Sequence, residues 1–277
     1  MIESNQVERA RHFMALHREP GGFLLPNAWD ALSARLFEDV GFLAIGTTSG
    51  GVNWSLGYRD GECAPWPEVV AATGRIARVV RAPISADIES GYAGTIQELQ
   101  RNVTEIIHAG AVGINLEDQI SRKLRSLDEA CARIRSARDA ADRAGVPIVI
   151  NARTDAFHVG MPLEQQFDEA VRRADAYLKA GASSIFVFGI SDLPTIARLA
   201  RAISAPINVV GRPGGSSFAE LSAAGVARVS IAAGMPLFAY DAVRNAARRL
   251  QATKTFDCLG ASVTRAEIQA LFEDDSH

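Results

Sequence analysis

Cysteine is scarce and scattered in this chain: Cys63, Cys131 and Cys258 are the only three in 277 residues, and no two are closely spaced. That argues against a disulfide framework and against a structural zinc site. Long apolar runs are missing as well. No segment approaches the about 20 apolar residues that span a bilayer, and the opening "MIESNQVERARHFMALH" is mixed and charged, so neither a membrane span nor a targeting segment is expected. A reducing cytoplasm is the expected compartment. Charge of one sign does not accumulate either: 29 basic and 32 acidic residues give −3 without long runs. This excludes a phosphate-backbone binder and a polybasic membrane patch, and leaves a small molecule as the expected partner, with no nucleic acid and no membrane.

What is present is a repeat, built on a 48% hydrophobic composition that suffices for a large core. Short β-branched runs recur: "FLLPN" (23–27), "FLAIG" (42–46), "PISAD" (83–87), "VGINLED" (112–118), "PIVINAR" (147–153), "SIFVF" (184–188), "PINVV" (206–210) and "RVSIA" (228–232). Between them lie segments with helical spacing, among them 68–80, 127–144 and 163–180. The joints "DVG", "HAGA", "RAGVP", "KAGA" and "AAGVA" put glycine where a helix ends in the left-handed region and a strand begins. Eight β-α units in roughly 250 residues predict an α/β chain folded as a closed (β/α)8 TIM barrel. A doubly wound open sheet is disfavoured because no G-x-G-x-x-G follows the first strand. One domain is expected over 1–277, with the barrel at about 22–250 and an arm and short helix, "TRAEIQALFED", at about 251–277.

In such barrels the C-terminal strand ends face the active site, and here those ends are acidic. The third strand ends in Asp87 and Glu89, the fourth in Glu117 and Asp118, and the fifth in Arg153 and Asp155, while Asp60 follows the second in "LGYRDGE". Asp87 and Glu89, two apart, are predicted on one face of a strand. Two adjacent buried carboxylates call for a cation, a basic side chain or water between them. A ring of carboxylates with few histidines nearby suits a hard divalent ion, Mg2+ or Mn2+, better than zinc. Asp155, behind Arg153, reads instead as a structural ion pair.

The motifs "GTTSGG" (46–51), "LGYRD", "DIESGY", "NLEDQ" and "NARTDAF", in this order and spacing, resemble the isocitrate lyase/phosphoenolpyruvate mutase superfamily, as does "LLPNAWDALSARL". The resemblance covers about residues 22–250. It implies a magnesium-dependent barrel enzyme, a lyase acting on a small 2-oxo acid through an enolate. Carried over by position, it implies Asp87 as direct metal ligand; Asp60, Glu89 and Glu117 as holders of the metal's waters; Thr48, Ser49 and Gly50 as a cradle for the substrate carboxylate; and Arg153 as the catalytic residue at the enolate oxygen. It also implies a homo-oligomer, a tetramer of dimers that exchange the last helix.

The chain departs from the family in two places. Where its lyases carry a Lys-Lys/Arg-Cys-Gly-His loop this sequence reads "DQISRKLRSLDEA", and where they place a glutamate after the sixth strand it has "FVFGI" with Phe188. Carbon–carbon cleavage or decarboxylation is the expected chemistry, with carbon–phosphorus chemistry on a phosphonopyruvate-like substrate, or binding of a 2-oxo acid without turnover, as alternatives. Arg212, just past the seventh strand, either grips a second carboxylate or is a solvated surface residue. His158 is expected at the surface, Tyr58 and Tyr92 near the metal cluster, and Cys63 as an unreactive thiol.

Overall fold

The structure, a computed structural model, describes residues 4–273. Its centre is a parallel sheet of nine strands: β1 (Phe23–Leu25), β2 (Asn27–Ala28), β3 (Ile45–Thr47), β4 (Ile84–Asp87), β5 (Gly113–Glu117), β8 (Val149–Thr154), β9 (Ser184–Val187), β10 (Ile207–Val210) and β11 (Arg228–Ser230). Two further short strands, β6 (Gln119–Ile120) and β7 (Lys123–Leu124), pair as a separate antiparallel hairpin.

The eight runs read from the sequence account for the nine strands because Pro26 splits the first. Lacking an N–H, proline cannot donate to a ladder. The halves diverge around it, β1 pairing with β11 and β2 with β3, so the sheet becomes a nearly closed barrel. Gly46 permits this junction, since a Cβ there would lie 2.8 Å from the Asn27 amide nitrogen.

Among the described residues eleven α-helices surround the sheet: α1 (Ser4–Leu16), α2 (Ala31–Asp39), α3 (Ser49–Ser55), α4 (Trp66–Arg78), α5 (Ile96–His108), α6 (Leu127–Ala144), α7 (Leu163–Lys179), α8 (Leu193–Ala202), α9 (Phe218–Ala223), α10 (Gly234–Thr253) and α11 (Arg265–Ala270). Outward-facing Ile84, Ile114, Ile150, Ile185, Val209 and Val229 are buried under them. The alternate residues face inward and are polar: Asn151 donates to Asn115 (2.8 Å) and Asn208 (3.0 Å), and Ser184 donates to Asn151 (2.8 Å). Amides and hydroxyls, with Arg228 and Phe186 among them, fill the barrel axis, and the strand-end residues stand above them.

Helix α1, read from the sequence only as a charged stretch, stops the N-terminal end of the barrel. Val7, Ala10, Phe13 and His17 recur at helical spacing, and Phe13 reaches Gly113 so closely that a Cβ there would lie 2.6 Å from its ring. Gln6 ties the helix down by donating to the carbonyls of Ile107 (2.7 Å) and Ala111 (3.2 Å). At the other end of the chain α10 has Pro236 as its one buried residue, while Leu237, Phe238 and Val243 are exposed. The extra C-terminal helix is α11, started by a Thr264/Glu267 capping box.

Candidate active site

Asp87 ends β4 on the inward face. Its Oδ2 accepts from the Ser49 N–H at 3.2 Å, and its own N–H donates to Thr47 Oγ1 at 2.8 Å. Burial pushes its carboxyl above the usual range, opposed by the charge of Arg153. Glu89 does not share a strand face with Asp87, as the two-residue spacing suggested, because β4 ends at Asp87. The chain turns back instead through Glu89 itself, at φ 51°, and Tyr92, at φ 50°. Gly91 lies between them at φ 102°, where a Cβ would come 2.3 Å from Leu99.

The turn still delivers the Glu89 carboxylate to the cluster, in a nest of donors. Both oxygens accept from the Glu62 N–H at 2.9 Å, and Oε1 also accepts from the Tyr92 hydroxyl (2.8 Å) and the Asn53 amide (3.3 Å). Burial nevertheless pushes Glu89 up to about 7. Asp60, on an exposed turn, lies against α3: a Cβ on Gly50 would be 3.3 Å from its Oδ2. Its negative charge helps raise both Asp87 and Glu89.

Glu117 ends β5 and accepts from Arg153 Nη1 at 2.9 Å and from the Gln119 amide, at the root of the hairpin, at 2.8 Å. Burial still pushes it up to about 8, with Asp155 and Asp87 adding to the rise. Arg153 is the fixed cation of the site. Asp155 takes it by Nε (2.9 Å) and Nη2 (2.6 Å), and its guanidinium lies 3.8 Å from the centre of the Phe188 ring. Asp155 is thus the structural partner its place behind Arg153 suggested.

Asp118 points the other way, as strand alternation requires, and forms a buried post with α7. It accepts from Tyr177 (2.5 Å), Arg173 (3.2 Å) and the Asp155 N–H (3.0 Å). Of the residues that grip the acids, Asn53 lies outside the quoted motifs, while Glu62 and Gln119 close "LGYRDGE" and "NLEDQ" and were given no role there. Thr48 is buried beside Ser49 and Gly50 at the start of α3, a first helical turn whose N–H groups have no intrahelical acceptor. Arg212 is exposed, 5.9 Å from the Phe188 ring on which Arg153 lies, and lines a mainly apolar cavity of about 360 Å³ with Leu24, Phe218 and Met235.

His158 is exposed and meets the Phe188 ring edge-on at 5.0 Å. Tyr92 does join the cluster, whereas Tyr58 turns to Glu68 at 2.8 Å. Cys63 is exposed and free.

Among the described residues no three His, Cys, Asp or Glu side chains are arranged to hold a metal ion by themselves. Burial is the largest cause that raises Asp87, Glu89 and Glu117, and neighbouring acids add to the rise while Arg153 opposes it at Asp87 and Glu117. Beside the donors already engaged, Arg153, Tyr92, Asn53 and Gln119, the ligating groups the cluster offers are carboxylate oxygens. Such a donor set fits a hard cation that keeps several waters or borrows oxygens from a substrate, as Mg2+ does.

Comparison with known proteins gives the same family from three directions. The phosphoenolpyruvate phosphomutase family model matches residues 13–251. An oxaloacetate decarboxylase of Chromohalobacter salexigens is 32% identical over 82% of this chain and 79% of its own. A solved structure from Burkholderia cenocepacia J2315 superposes with a TM-score of 0.90 at 32% identity, covering 99% of this chain and 98% of the other. An oxaloacetate acetylhydrolase solved with its product oxalate has a TM-score of 0.85 at 26% identity, over 95% and 93% of the two chains.

Proposed function

The chain belongs to the isocitrate lyase/phosphoenolpyruvate mutase superfamily and is a lyase-type enzyme, and from that premise we propose that it is a magnesium-dependent decarboxylase of an oxaloacetate-like 2-oxo acid. The carrying observation is Arg153, fixed by Asp155 and Glu117 and laid on Phe188: a preset cation where the substrate's carbonyl oxygen becomes an enolate oxygen. In decarboxylation the bond from C3 to its carboxylate breaks, the electron pair moves to the C2 oxygen, and carbon dioxide leaves. C3 then takes a proton from water. No side chain has to remove a proton first, which suits a mouth where Phe188 stands after the sixth barrel position and the nearby histidine faces that ring.

Asp87 would hold the metal directly, and Asp60, Glu89 and Glu117 its waters. Bound magnesium supplies Lewis-acid polarisation of the 2-oxo group. The Ser49 N–H already serves Asp87. This leaves the hydroxyls of Thr48 and Ser49 and the Gly50 N–H for the substrate's carboxylate, and Arg212 for the distal one.

The test is product analysis after incubation of oxaloacetate, methylisocitrate, phosphonopyruvate and 2-oxoglutarate with magnesium, against enzyme-free and Arg153→Lys controls. Pyruvate and carbon dioxide from oxaloacetate, above both controls, are expected. Acetate and oxalate would mean hydrolysis of the C2–C3 bond instead of loss of the C3 carboxylate, and turnover of phosphonopyruvate alone would mean carbon–phosphorus chemistry. Tight binding without turnover would leave a 2-oxo acid sensor.

The exposed apolar side chains of α10 support a homo-oligomer in which α10, and not the last helix α11 as the resemblance implied, packs on a neighbouring barrel, and two such dimers form a tetramer.

A further inference from the structure

Arg228 opens β11 on the inward face of the barrel and is fully buried. Among the described residues no carboxylate forms an ion pair with it. Its Nη2 donates to Asn115 Oδ1 at 3.2 Å, while Nε and Nη1 have no partner. A buried, unpaired guanidinium is costly; the Phe13 ring, centred 5.9 Å from its Cζ, and the neighbouring asparagines offer a π face and dipoles but no counter-charge. The negative charge that acts on it is one layer higher: Asp87 is the register partner of Asn115 across β4 and β5. Neutral residues would fill the barrel at lower cost, so the position of this cation under the carboxylates calls for a use.

We propose that Arg228 is an internal fixed cation that sets the binding order of the site above it, weakening a divalent cation bound alone and strengthening the anionic substrate that accompanies it. This rests on the reading of the strand ends as a magnesium and 2-oxo acid site. The same positive charge acts with opposite sign on the two ligands. In the poorly screened barrel interior the effect is large, whereas a surface arginine at this range would be damped by water. Magnesium then binds weakly by itself and tightly with its substrate, which keeps the metal exchangeable and commits it when the 2-oxo acid arrives.

The test is calorimetric titration of wild type, Arg228→Met and Arg228→Gln with magnesium alone, then with oxalate at saturating magnesium, all at one pH of about 7.5, where Arg228 is charged and proton competition is common to every arm. Both variants are expected to bind magnesium roughly tenfold or more tighter and oxalate weaker by a similar factor. A purely structural arginine would weaken both ligands on removal, and that result overturns the inference. So does failure of both variants to fold, because a guanidinium with two unbonded nitrogens should be dispensable for folding; Asn115 keeps its bond from Asn151 in either variant. Wild type that binds no magnesium would overturn the metal reading itself, and this inference with it; wild type that binds magnesium, with unchanged variants, would overturn only the role of Arg228.

Discussion

Asp155 holds Arg153 in a two-point ion pair, with Oδ1 and Oδ2 at 2.6 and 2.9 Å, and is itself fully buried. The pair fixes the plane of the guanidinium, and Asp155 is in turn placed by its N–H bond to Asp118. Asp155→Asn keeps the shape and removes the charge. It is expected to cut oxalate affinity at saturating magnesium roughly 10- to 100-fold while changing magnesium affinity by a smaller factor, both read by calorimetry. Equal losses for the two ligands would mean that Asp155 supports the whole cluster rather than Arg153.

Tyr177 is expected to matter for stability through Asp118. Tyr177→Phe removes the 2.5 Å donor from a buried carboxylate, at a cost of about 1–3 kcal/mol in urea denaturation. Arg173 and the Asp155 N–H remain, so the fold should persist. A change within experimental error would show that water replaces the hydroxyl without cost.

The pH dependence has a definite sign. Glu89 at about 7 and Glu117 at about 8 both lie above their ordinary 4.5, so between about pH 4.5 and 8 the folded chain binds more protons than the unfolded one. Metal-free stability should therefore fall as pH rises through that window and level off above it. Magnesium favours the ionised carboxylates, so its stabilisation should grow over the same range. Thermal melts with a chelator and with excess magnesium, at about pH 5.5, 7 and 8.5, check both; a metal-free melting temperature that climbs from the lowest pH to the highest contradicts the assignment.

Exposed Phe238 and Val243 on α10 should be covered in solution. Sedimentation at micromolar concentration is expected to show a tetramer, and Phe238→Glu should shift it toward smaller species by placing a charge in an apolar contact. A wild-type monomer would remove the reading of α10 as a contact between subunits.

The barrel was legible because its signals are local. Runs such as "PIVINAR" recur between helical segments whose glycine joints cap each helix, and alternation already separates inward Glu117 from outward Asp118. The parts that escaped depend on tertiary placement. Glu89 reaches the cluster through a left-handed backbone that glutamate seldom adopts, and no propensity signals it. The donors around it, Asn53 and the Glu62 N–H, come from α3 and the turn that follows it. Arg228 sits in "RVSIA", which reads as an ordinary strand, and only closure of the barrel shows that it faces Asn115. Helix α1 was obscured by its charged face, although Val7, Ala10 and Phe13 already marked the buried stripe.

The most direct measurement is oxalate binding, with and without magnesium, by wild type, Asp87→Ala and Arg153→Lys, because oxalate is a planar dianion shaped like the enolate of pyruvate. Wild type should bind oxalate tightly only when magnesium is present. Asp87→Ala should lose both ligands, and Arg153→Lys should keep magnesium and lose oxalate, since lysine cannot reproduce the planar fork. Oxalate binding that is indifferent to magnesium, or magnesium binding that survives Asp87→Ala at wild-type affinity, would contradict the assignment of these strand ends as a metal and enolate site.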